Sequence, residues 1–351
     1  MKKVGIITSP LSSGHAVRGV GFYTARILPE LIKKAPSFDL SITEIQNPAD
    51  IYSADIDLIH YPFFDPFLNT LPVFKSLPTV VTIHDVIPWE YPEIYPPGFR
   101  GGINALLQKL SLLSVSRVIT DSHASIKSIL RLTAVPHSRL RLVYLAADPI
   151  FKPVTDTALL GRVAKKYTLP EKFILFVGDI NWNKNLSGLV TAAIELGYPL
   201  VIVGKQAGQA ESMDPAHPEH RHLPELLKQL KNPLVRRLGF VPVQDLVSLY
   251  SLATIYSQPS FAEGFGLPVL EAMACGTPVA CSNTHSLPEI AGESAVYFNP
   301  YSSEEIASSL KSLWTDTRLR AKLKESGLKQ SAKFSWKSAA ENTLRVYREI
   351  I

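Results

Sequence analysis

Cysteine is nearly absent from this chain of 351 residues, which contains only Cys275 and Cys281, both among small and apolar neighbours. Two such thiols are best interpreted as buried groups of a protein in a reducing compartment, since secreted chains that depend on disulfides carry many more. Neither cysteine stands at the spacing from another cysteine or a histidine that a zinc site needs. The sequence therefore predicts neither a disulfide framework nor a zinc module.

Long apolar runs and runs of basic residues are missing as well. No apolar run reaches 18 residues, so no transmembrane helix is expected, and the first run ends at Pro10, too soon for a signal peptide. The net charge of +5 is spread out, which excludes the basic patches typical of nucleic-acid binding. A mild positive excess suits phosphates or an anionic membrane. We expect a cytoplasmic protein that can lie peripherally at the inner membrane face.

Short apolar runs instead alternate with longer helical patterns, over a length that predicts two domains. Runs of strand type in the first half include Leu40–Ile45, Leu58–Tyr61 and Arg117–Thr120. Several runs are apolar throughout, as in strands that are covered on both faces. The order of strand and helix therefore predicts an α/β protein with parallel sheets flanked by helices.

A segment with two prolines, at 148–156, interrupts this rhythm before it resumes. We predict a first Rossmann-like domain over residues 1–150, a second over 151–335, and a terminal helix over 336–351 that packs back on the first. Two doubly wound domains joined by a short linker would face each other across a cleft. Ligands of such sheets bind at the carboxyl ends of the strands.

The most informative segment is PSFAEGFGLPVLEAMACGTPV, at 259–279. A strand is predicted to end near its first residue, and a helix to begin near Pro268, because proline is favoured in the first turn. Glycines in the turn between them would let a ligand approach the backbone, and the helix start attracts anions. Glu263 and Glu271 flank this point, and carboxylates accept hydrogen bonds from sugar hydroxyls. A turn that only reverses the chain is the alternative.

The whole segment closely resembles the signature of retaining glycosyltransferases of family 4, which have the GT-B fold. Its Glu-x7-Glu pair falls on Glu263 and Glu271. The resemblance implies that Glu263 contacts hydroxyls of the donor sugar and takes part in catalysis, and that Glu271 binds the ribose hydroxyls. It also implies contacts to the sugar and diphosphate from the backbone of Gly264, Phe265, Gly266 and Leu267.

The segment RGVGFY after the first strand is similar to the family's glycine-rich loop that faces the diphosphate. The resemblance implies donor contacts at Gly19 and Gly21, and it makes Arg18 a candidate for binding the phosphates or the acceptor. By itself a pair of glycines is equally consistent with a simple turn.

The segment TIHD ends the fourth predicted strand and resembles the family's His-Asp element. The resemblance implies that His84 lies beside the donor sugar as a catalytic residue, although a lone histidine there is more often structural. Asp85 is predicted to orient its ring and is also a candidate for binding the acceptor or the phosphates. His60 ends the third strand and is a candidate for the same cleft. Asp121 and Ser122 stand where the family usually has Val-Ser, and Ser122 is predicted to cap a helix.

The segment FVGDINWNKNL resembles the family element whose basic residues bind the diphosphate. Gly178 and Lys184 match it, and a cation at Lys184 would stabilise the leaving diphosphate in place of a metal; an exposed lysine at a helix start is the alternative. Asn183 stands where arginine is common, and Asp179 where relatives are often basic. Lys205 is a candidate to compensate for the lost charge.

A further element, VRRLGFVP, resembles the segment that places the nucleotide base, which implies contacts at Phe240 and Val241.

We therefore predict a retaining, metal-independent hexosyltransferase that uses a nucleotide diphosphate sugar, GDP-mannose before a UDP-sugar, and a glycan or glycolipid acceptor. A non-catalytic nucleotide-sugar-binding partner and a nucleotide-sugar epimerase are the alternatives. The Asp-x-Asp at Asp55 is interpreted as a solvated loop, and the basic amphipathic region 99–142 as a helix face that can contact anionic lipid.

Overall fold

The computed structural model describes residues 1–11, 19–214 and 217–351. The chain divides into two compact units. Unit 1 contains Met1–Ala146 and Phe334–Ile351, and unit 2 contains Ala147–Lys333. The first division therefore lies at 146/147, four residues before the boundary drawn from the sequence.

Unit 1 is built on a parallel sheet of six strands in the order β2-β1-β3-β4-β5-β6. Its strands are β1 Lys2–Ile7, β2 Leu40–Ile45, β3 Leu58–Tyr61, β4 Thr79–Thr82, β5 Arg117–Thr120 and β6 Leu140–Leu142. Its helices are α1 Gly19–Lys34, α2 Ile87–Glu90, α3 Gly98–Leu112, α4 His123–Leu132 and the terminal α13 Trp336–Arg348.

Unit 2 repeats this architecture, with a parallel sheet in the order β12-β11-β10-β7-β8-β9. Its strands are β7 Ile174–Val177, β8 Leu200–Val203, β9 Val235–Gly239, β10 Ile255–Gln258, β11 Val279–Ser282 and β12 Ala295–Phe298. Its helices are α5 Thr157–Lys166, α6 Leu186–Leu196, α7 Leu223–Gln229, α8 Val243–Leu252, α9 Leu267–Ala274, α10 Leu287–Ala291, α11 Ser303–Thr315 and α12 Thr317–Ser331.

The sheet of unit 2 has an apolar core on each face. Along β7, Ile174 and Phe176 join one core with Leu189 of α6, whereas Leu175 joins the other with Val269 of α9. Successive side chains of a strand point to opposite faces, so a strand that is apolar throughout needs a helix layer on both sides. The predicted doubly wound α/β fold is confirmed.

Side-chain caps fix several helix starts. Ser122 accepts a hydrogen bond from the Ser125 amide at the start of α4, as predicted, and Asp156 does the same for α5. In the part of the chain that the structure describes, no helix combines the length and the apolar character that crossing a membrane requires.

The terminal helix α13 packs against α1 within unit 1. Glu341 of α13 forms an ion pair with Lys34 at 3.1 Å, and Glu349 accepts hydrogen bonds from Arg117 and Arg141. The buried Tyr347 hydroxyl lies 2.7 Å from His60 Nδ1. The last residues of the chain thus complete the core of its first unit.

Candidate functional site

Glu263 lies in unit 2, five residues beyond the end of β10, and its side chain is buried. Lys184 Nζ donates to both of its carboxylate oxygens at 2.8 Å. Gln258 and Ser260 each donate to Oε1 at 2.7 Å. These three donors hold the carboxylate in one orientation. Among the residues that the structure describes, Lys184 is the only cation that donates a hydrogen bond to it.

Lys184 ends a single turn of 3₁₀-helix that follows β7. The adjacent Asn183 donates from its side chain to the Ala262 carbonyl, and its own carbonyl accepts from the Phe261 amide at 2.8 Å. The loops after β7 and β10 are therefore joined through Asn183. Asn183 is buried and connects the two loops. The family commonly has an arginine at this position, so asparagine adds no charge to the site.

The turn between Glu263 and α9 depends on Gly266, which has a φ of 101° and directly precedes the helix. A Cβ atom there would lie 2.7 Å from Leu287 Cδ2. Ser286 Oγ donates to the carbonyls of Glu263 and Phe265 at 2.9 Å and fixes the turn from the other side. Among the described residues no side chain caps α9; Pro268 has no N–H and the Val269 amide donates to the Gly266 carbonyl at 3.0 Å, so Leu267 is the first-turn residue whose amide can serve an anion.

Glu271 lies one turn further along α9. Tyr250 donates its hydroxyl to Glu271 Oε2 at 2.8 Å. Burial raises the pKa of the Glu271 carboxyl to about 7; the Tyr250 hydrogen bond opposes this shift, and the charge of Asp148 adds to it. The carboxyl can therefore gain or lose its proton near neutral pH.

The other donor-site candidates of unit 2 surround the ends of β7, β8 and β9. A Cβ atom added to Gly204 would lie 2.0 Å from the Gly178 carbonyl oxygen. The chain segments after β7 and β8 therefore approach too closely for position 204 to carry a side chain. Lys205 is exposed beyond β8. Phe240, after β9, is 72% exposed, whereas the side chain of Val241 is buried and leaves only its backbone for a ligand.

His84 follows β4 in unit 1, and Asp121, rather than Asp85, orients its ring. The ring nitrogen Nδ1 lies 2.5 Å from Asp121 Oδ2. Asp85 instead accepts a hydrogen bond from the Ile87 amide at the start of α2, so the prediction that Asp85 orients the ring is wrong. Asp121 directly follows the neighbouring strand β5, which brings it beside His84.

His60 does not line a ligand surface, which corrects the expectation from its place in the sequence. The ring is fully buried, Nδ1 bonds the Tyr347 hydroxyl, and Nε2 lies 2.8 Å from Thr82 Oγ1. Burial, with a smaller contribution from His84, lowers the pKa of His60 to about 3. His60 is a neutral interior group that connects β3 and β4 to α13.

The predicted glycine-rich loop after β1 is helical where it is described. Gly19 and Gly21 lie in the first turn of α1, and Gly21 is buried. Arg18 lies outside the described residues. The two glycines therefore contribute the start of a helix rather than an open loop.

This arrangement can be compared with known proteins. Residues 162–330 match the family model for glycosyl transferases group 1, and residues 4–150 match the model for Glycosyltransferase Family 4. The structure of Anabaena Alr3699/HepE in complex with UDP and glucose has a TM-score of 0.73 at 17% identity and covers all of both chains. O-antigen chain mannosyltransferase B of Escherichia coli is 31% identical over 277 residues, which are 77% of this chain and 70% of that protein. The chain belongs to the GT-B glycosyltransferases.

This glycosyltransferase is also 31% identical over 277 residues to the serotype-specific mannosyltransferase WbdA of Escherichia coli. That match covers 75% of this chain and 32% of WbdA. The likeness to HepE supports the fold, and the likeness to the mannosyltransferases supports an enzyme of the hexosyltransferase type.

Four residues that hold the site were not among the sequence candidates. Gln258, Ser260 and Tyr250 bind the two glutamates, and Asp121 binds His84. Ser260 could have been found, because it stands three residues before Glu263 on the same turn. Gln258 stands five residues before Glu263 on the same segment, whereas the contacts of Tyr250 and Asp121 depend on which strands and helices become neighbours.

Proposed function

We propose that this glycosyltransferase moves a hexosyl group from a nucleotide diphosphate sugar to a glycan or glycolipid hydroxyl with retention of anomeric configuration. The observation that carries the proposal is the buried Glu263 carboxylate, held by Lys184, Gln258 and Ser260 at the carboxyl edge of the unit 2 sheet. A fixed acceptor of sugar hydroxyls beside a fixed cation suits a donor that carries both a sugar and a diphosphate.

In the proposed reaction the acceptor hydroxyl bonds to the anomeric carbon on the face from which the diphosphate departs. The bond between that carbon and the diphosphate oxygen breaks, and the departing phosphate takes the hydroxyl proton. The protein then needs to supply position and positive charge rather than a strong base. Lys184 supplies charge for the leaving group, and Glu271 receives the ribose hydroxyls. No resident metal takes part in this scheme.

GDP-mannose is the donor that we favour. The two mannosyltransferases similar to this chain support a mannosyl donor, while the HepE structure contains UDP and glucose. The nucleotide is therefore the first property to measure.

A thermal-shift screen against UDP, GDP, ADP, TDP and CDP, with and without EDTA, tests the proposal. A nucleotide at a hundred times its Kd adds about 2.7 kcal/mol to the free energy of unfolding, which raises Tm visibly. A shift with GDP alone, unchanged by EDTA, followed by mannosyl transfer, is the expected result. Binding without transfer or hydrolysis would favour the non-catalytic partner, and conversion of the bound sugar would favour the epimerase.

We also propose that α3 contacts an anionic membrane where a lipid-linked acceptor is used. One face of this helix carries exposed apolar side chains at helical spacing, namely Phe99, Ile103, Leu106, Leu110 and, just after it, Leu113. The exposed Arg100 and Lys109 supply positive charge on the same helix. An exposed apolar stripe with basic neighbours is typical of helices that lie in a lipid interface.

Flotation with vesicles of phosphatidylglycerol and of phosphatidylcholine at low salt tests this contact. We expect binding to the anionic vesicles only, lost in Leu106→Glu and kept in Ile32→Glu, which changes an exposed apolar residue of α1. Absence of binding by the unmodified chain, or equal loss in both variants, would remove the membrane proposal.

A further inference from the structure

The hydrogen bonds to Glu263 are divided unevenly between the two oxygens of its carboxylate. Glu263 Oε1 accepts three of them, from Lys184 at 2.8 Å and from Gln258 and Ser260 at 2.7 Å. Among the residues that the structure describes, only Lys184 donates to Glu263 Oε2, at 2.8 Å. A carboxylate oxygen has about two lone-pair sites, so Oε1 is saturated. The spare acceptor position of the carboxylate is therefore on Oε2.

A buried chain of hydrogen bonds supplies two of the three donors to Glu263 Oε1. Tyr256 donates its hydroxyl to the side-chain oxygen of Gln258. Gln258 Nε2 in turn donates to Ser260 Oγ at 2.8 Å and to Glu263 Oε1 at 2.7 Å. Ser260 then donates to the same carboxylate oxygen. Every hydrogen bond of this chain points toward Glu263.

The chain begins inside the sheet of unit 2. Tyr256 and Gln258 are two residues apart on β10, so their side chains leave the same face of the strand. β10 lies between β11 and β7, and both side chains are fully buried. Ser282 of β11 also donates its hydroxyl to the Gln258 carbonyl at 3.3 Å. A central strand, rather than a surface loop, thus places these donors.

The partners of the Gln258 amide fix its orientation. A carboxylate only accepts hydrogen bonds, so the amide must turn its nitrogen toward Glu263. The amide oxygen then faces Tyr256, whose hydroxyl keeps its proton: burial, with the charges of Glu263 and Glu271, raises the pKa of Tyr256 well above its usual value of 10. The opposite orientation would place two buried acceptors against each other at Glu263. Gln258 therefore has one favourable orientation.

The carboxylate lies where a ligand can reach it. Glu263 follows the carboxyl end of β10, and ligands of open α/β sheets bind at that end of the strands. Its side chain is 8% exposed and that of Lys184 is 21% exposed, whereas Gln258 and Ser260 are fully buried. A carboxylate oxygen with spare capacity beside a cation suits a ligand hydroxyl that donates to it.

We propose that Glu263 receives a hydroxyl of the donor on Oε2, and that Gln258, oriented by Tyr256, is the positioning residue that occupies Oε1. The inference rests on the proposed function, in which Glu263 accepts sugar hydroxyls. Because Oε1 is taken by the protein, the carboxylate presents one oxygen to the ligand in one orientation. Gln258 acts through Glu263 and does not itself touch the ligand.

Gln258→Glu tests this role, since a carboxyl of the same shape donates only while it holds a proton. At low pH the introduced carboxyl and Glu263 share one proton, which burial and like charge retain to higher pH than an isolated carboxyl would. Relative to the unmodified chain, we expect kcat/KM within about threefold at pH 5.5 and at least about tenfold lower at pH 8. Glu271 titrates in both proteins, so its contribution cancels in this ratio. A loss that does not change with pH would show that Gln258 only supports the fold, and would overturn the inference.

Gln330→Glu is the matched control, because Gln330 is another buried glutamine of unit 2 outside the site. Its amide donates to the Ile290 carbonyl at 2.8 Å and accepts from Lys333. The ratio of its kcat/KM to that of the unmodified chain should not change with pH. The same pH-dependent loss in this control would overturn the assignment to Gln258.

Tyr256→Phe is a second variant that keeps the ring and removes only the hydroxyl. The Gln258 amide then loses the partner of its oxygen and can turn away from Glu263. We expect kcat/KM to fall at least about threefold across the same pH range. An unchanged kcat/KM would overturn the role of Tyr256 in the proposal, even if Gln258→Glu does not fold.

The double variant Gln258→Glu/Glu263→Gln separates the inference from the proposed function. It exchanges the two groups, so an amide again faces a carboxylate, and denaturant unfolding follows this contact without any substrate. At pH 8 we expect its unfolding midpoint to return from that of Gln258→Glu toward that of the unmodified chain, while transfer stays lost because no carboxylate stands at position 263.

The two failures look different. A recovered midpoint, with no nucleotide bound by the unmodified chain, would confirm the hydrogen-bond chain but contradict the donor site and with it the ligand on Oε2. Normal transfer by the unmodified chain, with no recovery in the double variant, would support the proposed function and overturn the inference about Gln258.

Discussion

Glu263 is the central residue of the proposed donor site, because three side chains converge on its carboxylate. Replacing it with alanine removes the proposed acceptor for the sugar hydroxyls and leaves Lys184 without its ion-pair partner. We expect Glu263→Ala to lower kcat by at least about tenfold, the scale of one strong hydrogen bond in the transition state. Steady-state kinetics with the donor found in the screen measure this.

Glu225→Ala is the matched control for this change, because Glu225 is an exposed glutamate of the same unit whose partner is the nearby Lys228. It should leave kcat unchanged. Near-normal turnover in Glu263→Ala would contradict our assignment of the site.

If Glu271 receives the ribose hydroxyls as proposed, nucleotide binding should depend on pH. A charged carboxylate accepts both ribose hydroxyls better than a protonated one, and the pKa of Glu271 in the free chain is about 7. We expect the affinity for the nucleotide to rise about tenfold from pH 6 to pH 8, as binding releases the proton. Calorimetric titrations across this range should show the rise in the unmodified chain and a flat profile in Glu271→Gln.

The same carboxyl affects stability with a sign that can be checked. The pKa of this carboxyl in the folded chain lies above the ordinary value of 4.5, so the folded state holds the proton more tightly and gains stability at low pH. That gain is lost as the pH rises through 7. In denaturant unfolding, the free energy of unfolding of the unmodified chain should therefore fall relative to that of Glu271→Gln between pH 5 and pH 8. Parallel curves of this free energy against pH would contradict the raised pKa.

At this scale the sequence indicated Glu263, Glu271 and His84 as candidates but not all of the residues that hold them. Asp85 follows His84 in the chain and seemed the natural partner, yet the pairing of β4 with β5 places Asp121 against the ring. His60 ends a strand as a ligand residue would, but Tyr347, 287 residues later, occupies its Nδ1. Contacts between distant segments decide such roles, and residue order alone does not contain them.

At the scale of one element, α9 and the turn before it depend on a single glycine. Gly266→Ala would force a non-glycine residue to a φ of 101° and drive its Cβ into Leu287. We expect a loss of about 1–3 kcal/mol in the free energy of unfolding, together with weaker nucleotide binding. Thermal unfolding with and without nucleotide measures both effects.

Gly161→Ala in α5 is the control for this change, because a Cβ atom there meets nothing within 4 Å and the residue lies inside a helix. It should be neutral or stabilising, since alanine is favoured over glycine in helices. Equal effects of the two substitutions would show that the turn before α9 tolerates a side chain.

The start of α9 was predictable because local chemistry fixes it: a glycine with positive φ, then a leucine, then a proline in the first turn. The segment after β1 was not, because Gly19 and Gly21 suit a turn and a helix start equally well, and the packing of α1 favours the helix. The local sequence therefore predicted the start of α9, where it is compatible with one conformation, and did not predict the start of α1, where it is compatible with two.

At the scale of the whole molecule, the alternation of apolar runs and helices predicted two parallel sheets, and the sequence also predicted that the last helix packs on the first domain; unit 1 contains Phe334–Ile351. Tyr347→Phe tests that membership. The change leaves buried His60 Nδ1 without its partner, at a cost of about 1–3 kcal/mol. We expect faster amide hydrogen exchange in β3, β4 and α13 of unit 1 and unchanged exchange in unit 2.

Tyr301→Phe serves as the control, because the Tyr301 side chain is 64% exposed in unit 2. It should alter exchange in neither unit beyond its own loop. Equal loss of protection throughout the chain in Tyr347→Phe would mean that the two units unfold together, and that α13 does not stabilise unit 1 alone.

Because the chain returns to unit 1 at Phe334, the two units are completed in a fixed order during synthesis on the ribosome. Synthesis runs from the amino terminus, and domains generally fold as their residues emerge. Residues 147–333 carry all the strands of unit 2 and emerge before α13, so unit 2 can close while unit 1 still lacks Tyr347 and Glu349. The first unit to be made is the last to be completed, and a nascent chain stopped before Phe334 should expose an unfilled surface on α1 to chaperones.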